Sequence, residues 1–325
     1  MFEVEATMKN YTGITRAAIV LLMALAAAAV SANGTQEQAA ETKGPVTVAS
    51  KIDTEGALLG NMIVLLLEDS GFEVVNNTEF GTTDVIRRAI TNAEIDIYPE
   101  YTGNGGFFFS DTEGSLWQDA ESAYETVAEL DLEENDIVWL EPAPANNTWA
   151  IAVRNDLAEA EGLETLEDFA DYVSGGGEIK LAGSEEFVSR EDALPSFEEA
   201  YGFDLSDNEL LILSGGNTAT TIQAAARQTD GVNAAMAYGT DGALAALGLT
   251  VMEDSLGVQP VYQPAPIVRE DVINEYPEIE SILEPVFETL DLETLQGLNA
   301  RIAVDGEPAQ SVARDYLEEN GFLGN

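Results

Sequence analysis

Residues 46–98 read VTVASKIDTEGALLGNMIVLLLEDSGFEVVNNTEFGTTDVIRRAITNAEIDIY, and the punctuation of this stretch decides the fold. The β-branched run Val46-Thr47-Val48-Ala49-Ser50 predicts a short strand. From Glu55 to Ser70 apolar residues recur at helical spacing (Leu58, Leu59, Met62, Leu65, Leu66) and the pattern stops at Gly71. Phe72 to Asn76 reads as the next strand. Thr83 can cap a helix through Ala93 with Val85, Ile86, Ala89 and Ile90 inward, and Ile95 to Tyr98 returns as a strand. A βαβαβ order predicts a parallel sheet with right-handed crossovers. Ligands on such sheets sit at the carboxyl ends of the strands. Those ends fall at Lys51-Ile52-Asp53-Thr54-Glu55, at Gly81-Thr82-Thr83 and at the segment around Tyr98.

Outward from this unit the pattern repeats. Trp149 to Val153 reads as a strand after the irregular Pro142-Ala143-Pro144-Ala145-Asn146-Asn147-Thr148. Thr165 caps a helix to Val173 that Gly175-Gly176-Gly177 stops, Ile179 to Ala182 is a strand, and Thr220 to Gln228 a helix. Ala234-Ala235-Met236-Ala237-Tyr238 is a buried strand ending in Gly239-Thr240-Asp241-Gly242. Val261-Tyr262-Gln263-Pro264-Ala265-Pro266 repeats the proline spacing of the 142–145 stretch, and Tyr276 to Leu323 is helical. The expected organisation is a first lobe over 45–147, a second over 148–262, and a return to the first over 263–325. Two lobes joined by two crossings can close on a small ligand.

The third strand end carries the chemistry. Glu94-Ile95-Asp96-Ile97-Tyr98-Pro99-Glu100-Tyr101-Thr102-Gly103-Asn104-Gly105 places two tyrosines and three carboxylates at the end of the strand, where a Pro and then glycines are expected to end the pairing. A tyrosine face offers a negative quadrupole to a cation, and a quaternary ammonium, which donates no hydrogen bond, is recognised mainly that way. The alternative makes Tyr98 and Tyr101 strand-end core residues with their hydroxyls in water. Tyr201, in Ala200-Tyr201-Gly202-Phe203, is a further candidate ring, with packing at a helix end as its other reading. Phe107-Phe108-Phe109 offers either a cleft wall or a buried edge, and Gly215-Gly216-Asn217-Thr218 either an anion cradle or a plain turn before a helix.

Composition excludes most other classes. The formal net charge of −47 repels nucleic acid and anionic lipid. A hydrophobic content of 45% is ordinary, so the charge belongs on the surface of a normally cored protein. Such a surface suits concentrated salt, which screens the self-repulsion. With no Cys and no His the chain makes no thiol nucleophile, no Ser-His-Asp triad, no disulfide and no zinc site of the usual ligands. No cofactor and no metal are expected. An enzyme of this composition would rely on carboxylates or on an oxygen-ligated metal, and among 60 acidic residues chance pairs are inevitable. At the N-terminus Lys9 and Arg16 precede the apolar run Ala17 to Val30, and small residues precede an expected cleavage after Ala32. This predicts an exported, unlipidated protein over a signal peptide of 1–32, with a disordered lead-in over 33–44.

Four segments together resemble the substrate-binding proteins of glycine betaine/choline-type ABC importers, and within them the OsmF-like osmoprotectant branch. They are 50–61 (Ser50-Lys51 through Gly60-Asn61), 96–103, Ala145-Asn146-Asn147-Thr148-Trp149 and Met236-Ala237-Tyr238-Gly239-Thr240-Asp241-Gly242. The resemblance implies a two-lobed α/β type II periplasmic-binding-protein fold with the ligand in the cleft between lobes. It also implies a tyrosine cage for a trimethylammonium head, polar groups for a carboxylate, and a membrane permease with its ATPase as partners of a monomeric receptor. Tyr98 and Tyr238 match cage positions, Asp96 and Asn147 stand in the matching motifs, and Thr83 matches a carboxylate-binding position. Lys51, Glu55 and Thr240 fall inside the same motifs. Family members often carry Gln-Tyr where this chain has Gly56-Ala57, and a Tyr where it has Leu194. A receptor for glycine betaine or a related osmolyte is therefore expected, not an enzyme; the alternatives are a receptor for another small zwitterion and an exported carboxylate-dependent hydrolase.

Overall fold

A computed structural model describes residues 43–215 and 217–324. The expected signal peptide, the junction after Ala32 and residues 33–42 of the expected lead-in lie outside these residues. Lys43 and Gly44, assigned to the lead-in, are instead ordered as the start of a strand, with Lys43 opposite Phe72.

Two five-stranded sheets organise the chain. The first contains β1 (Lys43–Lys51), β2 (Phe72–Gly81), β3 (Ile97–Tyr101), β4 (Ile137–Trp139) and β10 (Pro264–Arg269), in the order β2-β1-β3-β10-β4. The second contains β5 (Trp149–Arg154), β6 (Leu181–Ser184), β7 (Leu210–Leu213), β8 (Ala234–Tyr238) and β9 (Leu249–Val251), in the order β7-β6-β8-β5-β9. The two share one plan. Three neighbouring strands run parallel, and the fourth, β10 or β5, runs antiparallel to both its neighbours. The three strands of the βαβαβ unit are parallel as expected, and the antiparallel β10 makes the complete first sheet mixed. The reversed strand of each sheet is the one entered directly from a crossing: β5 follows the 140–148 segment and β10 the 252–263 segment.

The helix Thr54–Asp69 begins at Asp53, whose carboxylate accepts the Gly56 N–H at 2.7 Å. Its pattern predicts one apolar face, yet Ile63, Val64 and Leu67 are as buried as Leu58 and Met62. It packs on β1 and β2 on one side and under the C-terminal helices Glu278–Phe287, Leu292–Ala303 and Ala309–Glu319 on the other, within one core that includes Leu283, Val286 and Leu317. The helix Thr83–Thr91 starts one residue after its Thr82 N-cap, so Thr83 is its first residue and not its cap. Thr165 caps Leu166–Ser174 with a full capping box, as expected.

β3 corrects the sequence reading most. The strand continues through Pro99 to Tyr101, paired with β10 so that Pro99 faces Pro266. Leu140 N–H donates to Pro266 O at 3.0 Å, so the polar groups of Pro266 point toward β4 and the two prolines face each other without a missing ladder bond. The glycines that follow serve close packing. A Cβ on Gly105 would lie 2.2 Å from the Trp117 ring, and one on Gly103 2.9 Å from Tyr262.

Candidate functional site

A cavity opens where the carboxyl ends of β1, β2 and β3 meet the second sheet. From the first sheet come Lys51-Ile52-Asp53, Gly81-Thr82-Thr83, Tyr101 and Asn104; from the crossings, Asn147 and Tyr262; from the second sheet, Trp149, Glu186, Arg190 and Tyr238. All three strand ends expected to converge do so.

Four aromatic rings line the cavity. Trp149 and Tyr238 are cross-strand neighbours on β5 and β8 with ring centroids 4.8 Å apart, and Phe187 backs Trp149 at 5.2 Å. Tyr262 is fixed through its backbone, which exchanges hydrogen bonds with the other crossing: Asn147 N–H donates to Tyr262 O and Tyr262 N–H to Asn146 Oδ1, both at 2.8 Å. Tyr101 donates its hydroxyl to Glu55 Oε1 at 3.0 Å. Burial, with the Glu55 and Asp53 charges nearby, holds the Tyr101 phenol well above its ordinary pKa, so it stays neutral.

The charges in the cavity are of two kinds. Arg190 has five N–H donors, and all five are engaged: Nε and Nη2 on Asp192 at 2.9 and 2.5 Å, Nη1 on Asn104 and Glu186 at 3.0 and 2.9 Å, and Nη2 on Tyr262 Oη at 3.5 Å. Its guanidinium also stacks over Phe107, 4.4 Å from the ring centroid. Lys51 pairs with the buried Glu100 at 2.5 Å and lies 4.7 Å from the Tyr101 centroid. An ammonium has three donors, so two of those on Lys51 remain free of described protein partners. Beside it the Thr83–Thr91 helix presents its N-terminus, with no side-chain cap bond from Thr82. Such a terminus leaves N–H donors for an anion and a favourable dipole. Asp53 also lines the cavity, and burial raises its pKa, offset in part by the Gly56 N–H and Lys51.

Of the residues singled out from sequence, Lys51, Thr83, Asn147 and Tyr238 line this cavity. Glu55 and Thr240 lie behind it: Glu55 is 3% exposed and accepts from Tyr101 Oη, Asn147 Nδ2 and Asn299 Nδ2 at 3.0, 2.9 and 2.7 Å, while the Thr240 backbone oxygen accepts from Asn299 Nδ2 at 3.1 Å. Three positions are corrected. Tyr98 is fully buried in the core under Ile86 and Trp139, with its hydroxyl on Glu100 at 2.7 Å. Asp96 precedes β3 at the far end of the strand, accepting from Thr47 N–H at 2.8 Å and from Arg269 at 3.0 Å. Tyr201 bonds Asp254 and the Leu256 N–H, the packing reading left open for it. Gly56 and Ala57 belong to the first turn of the Thr54–Asp69 helix, and Leu194 is core, 1% exposed. None of them borders the cavity. Asn217 caps the helix Thr218–Ala226, so this start is a plain one; Gly216 lies outside the described residues.

Tyr101, the second of the two strand-end tyrosines, lines the cavity where Tyr98 does not; Asp53 and Trp149 come from the quoted strand-end and crossing motifs, and Tyr262 and Arg190 line it without having been expected there. Had β3 been extended to Tyr101, the strand-end rule alone would have chosen this ring over Tyr98. Trp149 was visible as the first residue of a strand beside Asn147. Arg190 opens the stretch whose family resemblance drew attention to Leu194, and nothing in the sequence set the arginine itself apart.

Comparison with known proteins agrees with this geometry. A family model described as the substrate binding domain of ABC-type glycine betaine transport system (OpuAC) matches residues 44–319. The glycine betaine-binding protein YehZ of Escherichia coli is 58% identical over 282 residues, covering 87% of this chain and 92% of that protein. A glycine-betaine-binding protein of Pseudomonas aeruginosa is 32% identical over 311 residues, 94% of this chain and 96% of the relative. The solved structure of apo YehZ from E. coli superposes with a TM-score of 0.64 over 86% of this chain and 100% of its own. The fold is the two-lobed α/β type II periplasmic-binding-protein architecture. The chain belongs to the family of substrate-binding domains of ABC-type glycine betaine transport systems.

Proposed function

We propose that this protein binds glycine betaine, or a closely related quaternary-ammonium osmolyte, in the cavity between its sheets and delivers it to an ABC importer. One observation carries the assignment: four aromatic rings share a cavity with an ammonium that still has unused donors. The trimethylammonium head takes the faces of Trp149, Tyr238, Tyr262 and Tyr101. The carboxylate takes Lys51 and Thr83 at the N-terminus of its helix. Arg190, whose donors are engaged, frames the mouth with Phe107 and Glu186 and makes no ligand contact. The similarity to the glycine betaine-binding proteins of E. coli and P. aeruginosa supports the same ligand.

In this reading residues 45–147 and 263–325 form one lobe and 148–262 the other, and the protein is a monomeric receptor and not an enzyme. It works in the periplasm with a permease and its ATPase. Its export signal is the segment ending near Ala32. The acidic surface is an adaptation to salt.

The two halves of the site separate by titration with betaine and choline, which share the ammonium head and differ in the carboxylate. Replacing Trp149 by Ala should weaken both ligands by about tenfold or more, because one desolvated cation-π contact is worth about 1 to 2 kcal/mol. Lys51→Met should weaken betaine by about tenfold or more while leaving choline within about twofold. A Lys51→Met variant that loses both ligands equally would remove Lys51 from the carboxylate subsite.

A further inference from the structure

We propose that Glu55 is the positioning residue of the site, the single buried carboxylate that holds the Tyr101 ring, the first crossing and the second sheet together when the cleft is closed. The proposal rests on the reading that the cleft binds a quaternary ammonium. Glu55 lies in the first turn of the Thr54–Asp69 helix and does not itself border the cavity. Its Oε1 accepts from Tyr101 Oη at 3.0 Å and Asn147 Nδ2 at 2.9 Å and its Oε2 from Asn299 Nδ2 at 2.7 Å, with the Thr240 side chain beside it. These partners come from β3, the crossing at 140–148, the helix Leu292–Ala303 and the loop after β8. A hinge motion that separates the sheets must disturb this arrangement. Asn299 strengthens the join by also donating to Thr240 O at 3.1 Å, and Gln296 of the same helix donates to Gly239 O at 2.9 Å.

A phenol, two amides and a hydroxyl surround the carboxylate, with no ammonium or guanidinium among them. Burial pushes its pKa up to about 7, the neighbouring hydrogen-bond donors offset this only in part, and the Asp53 charge adds to it. The buried Oδ1 atoms of Asn147 and Asn299 have no hydrogen-bond partner among the described residues. Both belong to amides that already face Glu55. On protonation the carboxyl becomes a donor, and an amide rotated about its terminal torsion would supply the acceptor. The site is therefore built for either state of Glu55.

The sign follows from linkage. Opening admits water to Glu55 and lowers its pKa toward the ordinary 4.5, so closing on ligand takes up a proton between that value and about 7. Asp241, the neighbouring carboxyl pushed up to about 7, is held within the second sheet by Thr218 Oγ1 and the Tyr238 N–H. Neither of these hydrogen bonds crosses the cleft, and the Asp53 charge on the facing side is the smallest of the causes that raise it, so the larger share of the uptake falls to Glu55.

Calorimetric titration with glycine betaine in buffers of different ionisation enthalpy tests this. Betaine's own carboxylate does not titrate in this range. Near pH 6 we expect uptake of roughly half a proton or more per ligand, falling to near zero above about pH 8, with affinity about tenfold tighter at the lower pH. Glu55→Gln should remove the larger share of the uptake and flatten the profile, Asp241→Asn should keep that share, and Asn299→Ala, which removes a donor from the carboxylate, should shift the midpoint upward. Binding without proton uptake in the unaltered protein, or uptake that Glu55→Gln leaves undiminished, would overturn the role of Glu55. Should Glu55→Gln fail to fold, the uptake measured in the unaltered protein and the shift in Asn299→Ala still decide it. The absence of any betaine binding at either pH would instead refute the ligand assignment.

Discussion

Tyr98 and Tyr101 stand three residues apart on one strand and meet different fates. Tyr98 points with Glu100 into the layer between the first sheet and its helices, and its hydroxyl satisfies one oxygen of a carboxylate that has no contact with solvent. Tyr101 ends the strand and meets the cavity. Tyr238→Ala should therefore weaken betaine binding by about tenfold or more, one cation-π contact of about 1 to 2 kcal/mol, with little change in melting temperature. Tyr98→Phe should do the reverse. It leaves a buried carboxylate oxygen one donor short, at a cost of about 1 to 3 kcal/mol in stability, while affinity stays within about twofold. Calorimetry and thermal melts of the two variants, side by side, distinguish a cage ring from a core ring. An affinity loss in Tyr98→Phe as large as that in Tyr238→Ala would contradict this division. The sequence marked both tyrosines but could not separate them, because the separation depends on whether Pro99 ends the strand. That question is settled by Pro266, some 170 residues away, which allows two prolines to face each other across β3 and β10.

At the scale of elements, the first turn of the Thr54–Asp69 helix shows what local pattern can and cannot reveal. The helix and its N-cap chemistry are legible in Asp53-Thr54-Glu55 and the apolar spacing that follows. Burial on all sides is not, because the covering helices come from residues beyond 278. The family pattern invites a ring at Gly56-Ala57, but a Cβ on Gly56 would lie 2.9 Å from the Lys51 carbonyl oxygen and 3.0 Å from the Lys51 Cβ. The double change Gly56→Gln with Ala57→Tyr should thus cost about 1 to 3 kcal/mol of stability through overpacking and displace Lys51. A lower melting temperature with weaker betaine binding is the expected result. A gain in affinity would show that this turn opens onto the cavity after all. The strand ends were legible for the same reason the helix was, since strand, turn and helix each leave a local signature. Arg190 was not, because its place at the mouth depends on Asn104 and Phe107 from the other sheet.

Across the whole molecule, charge sets the response to solvent. A net charge of −47 on a cored protein makes self-repulsion the main term that salt can remove. We expect the melting temperature to rise from dilute buffer to molar NaCl, where the Debye length falls to about 3 Å. A flat or falling curve would contradict the salt adaptation. Glu55 and Asp241 add a pH dependence of known sign. Both carboxyls are pushed up to about 7, so the folded state binds more protons than the unfolded chain between the ordinary carboxylate range and that value. Stability should fall as pH rises through this window, with a lower melting temperature near pH 8 than near pH 6, and Asp241→Asn should reduce the difference. The most direct measurement of the whole account is a calorimetric titration with glycine betaine beside glycine, which has the same carboxylate and the same net charge and lacks only the methyl groups. Saturable betaine binding, with glycine at least about a hundredfold weaker, is the expected result for recognition by four aromatic rings. Equal affinity for the two, or no binding of betaine, would contradict it.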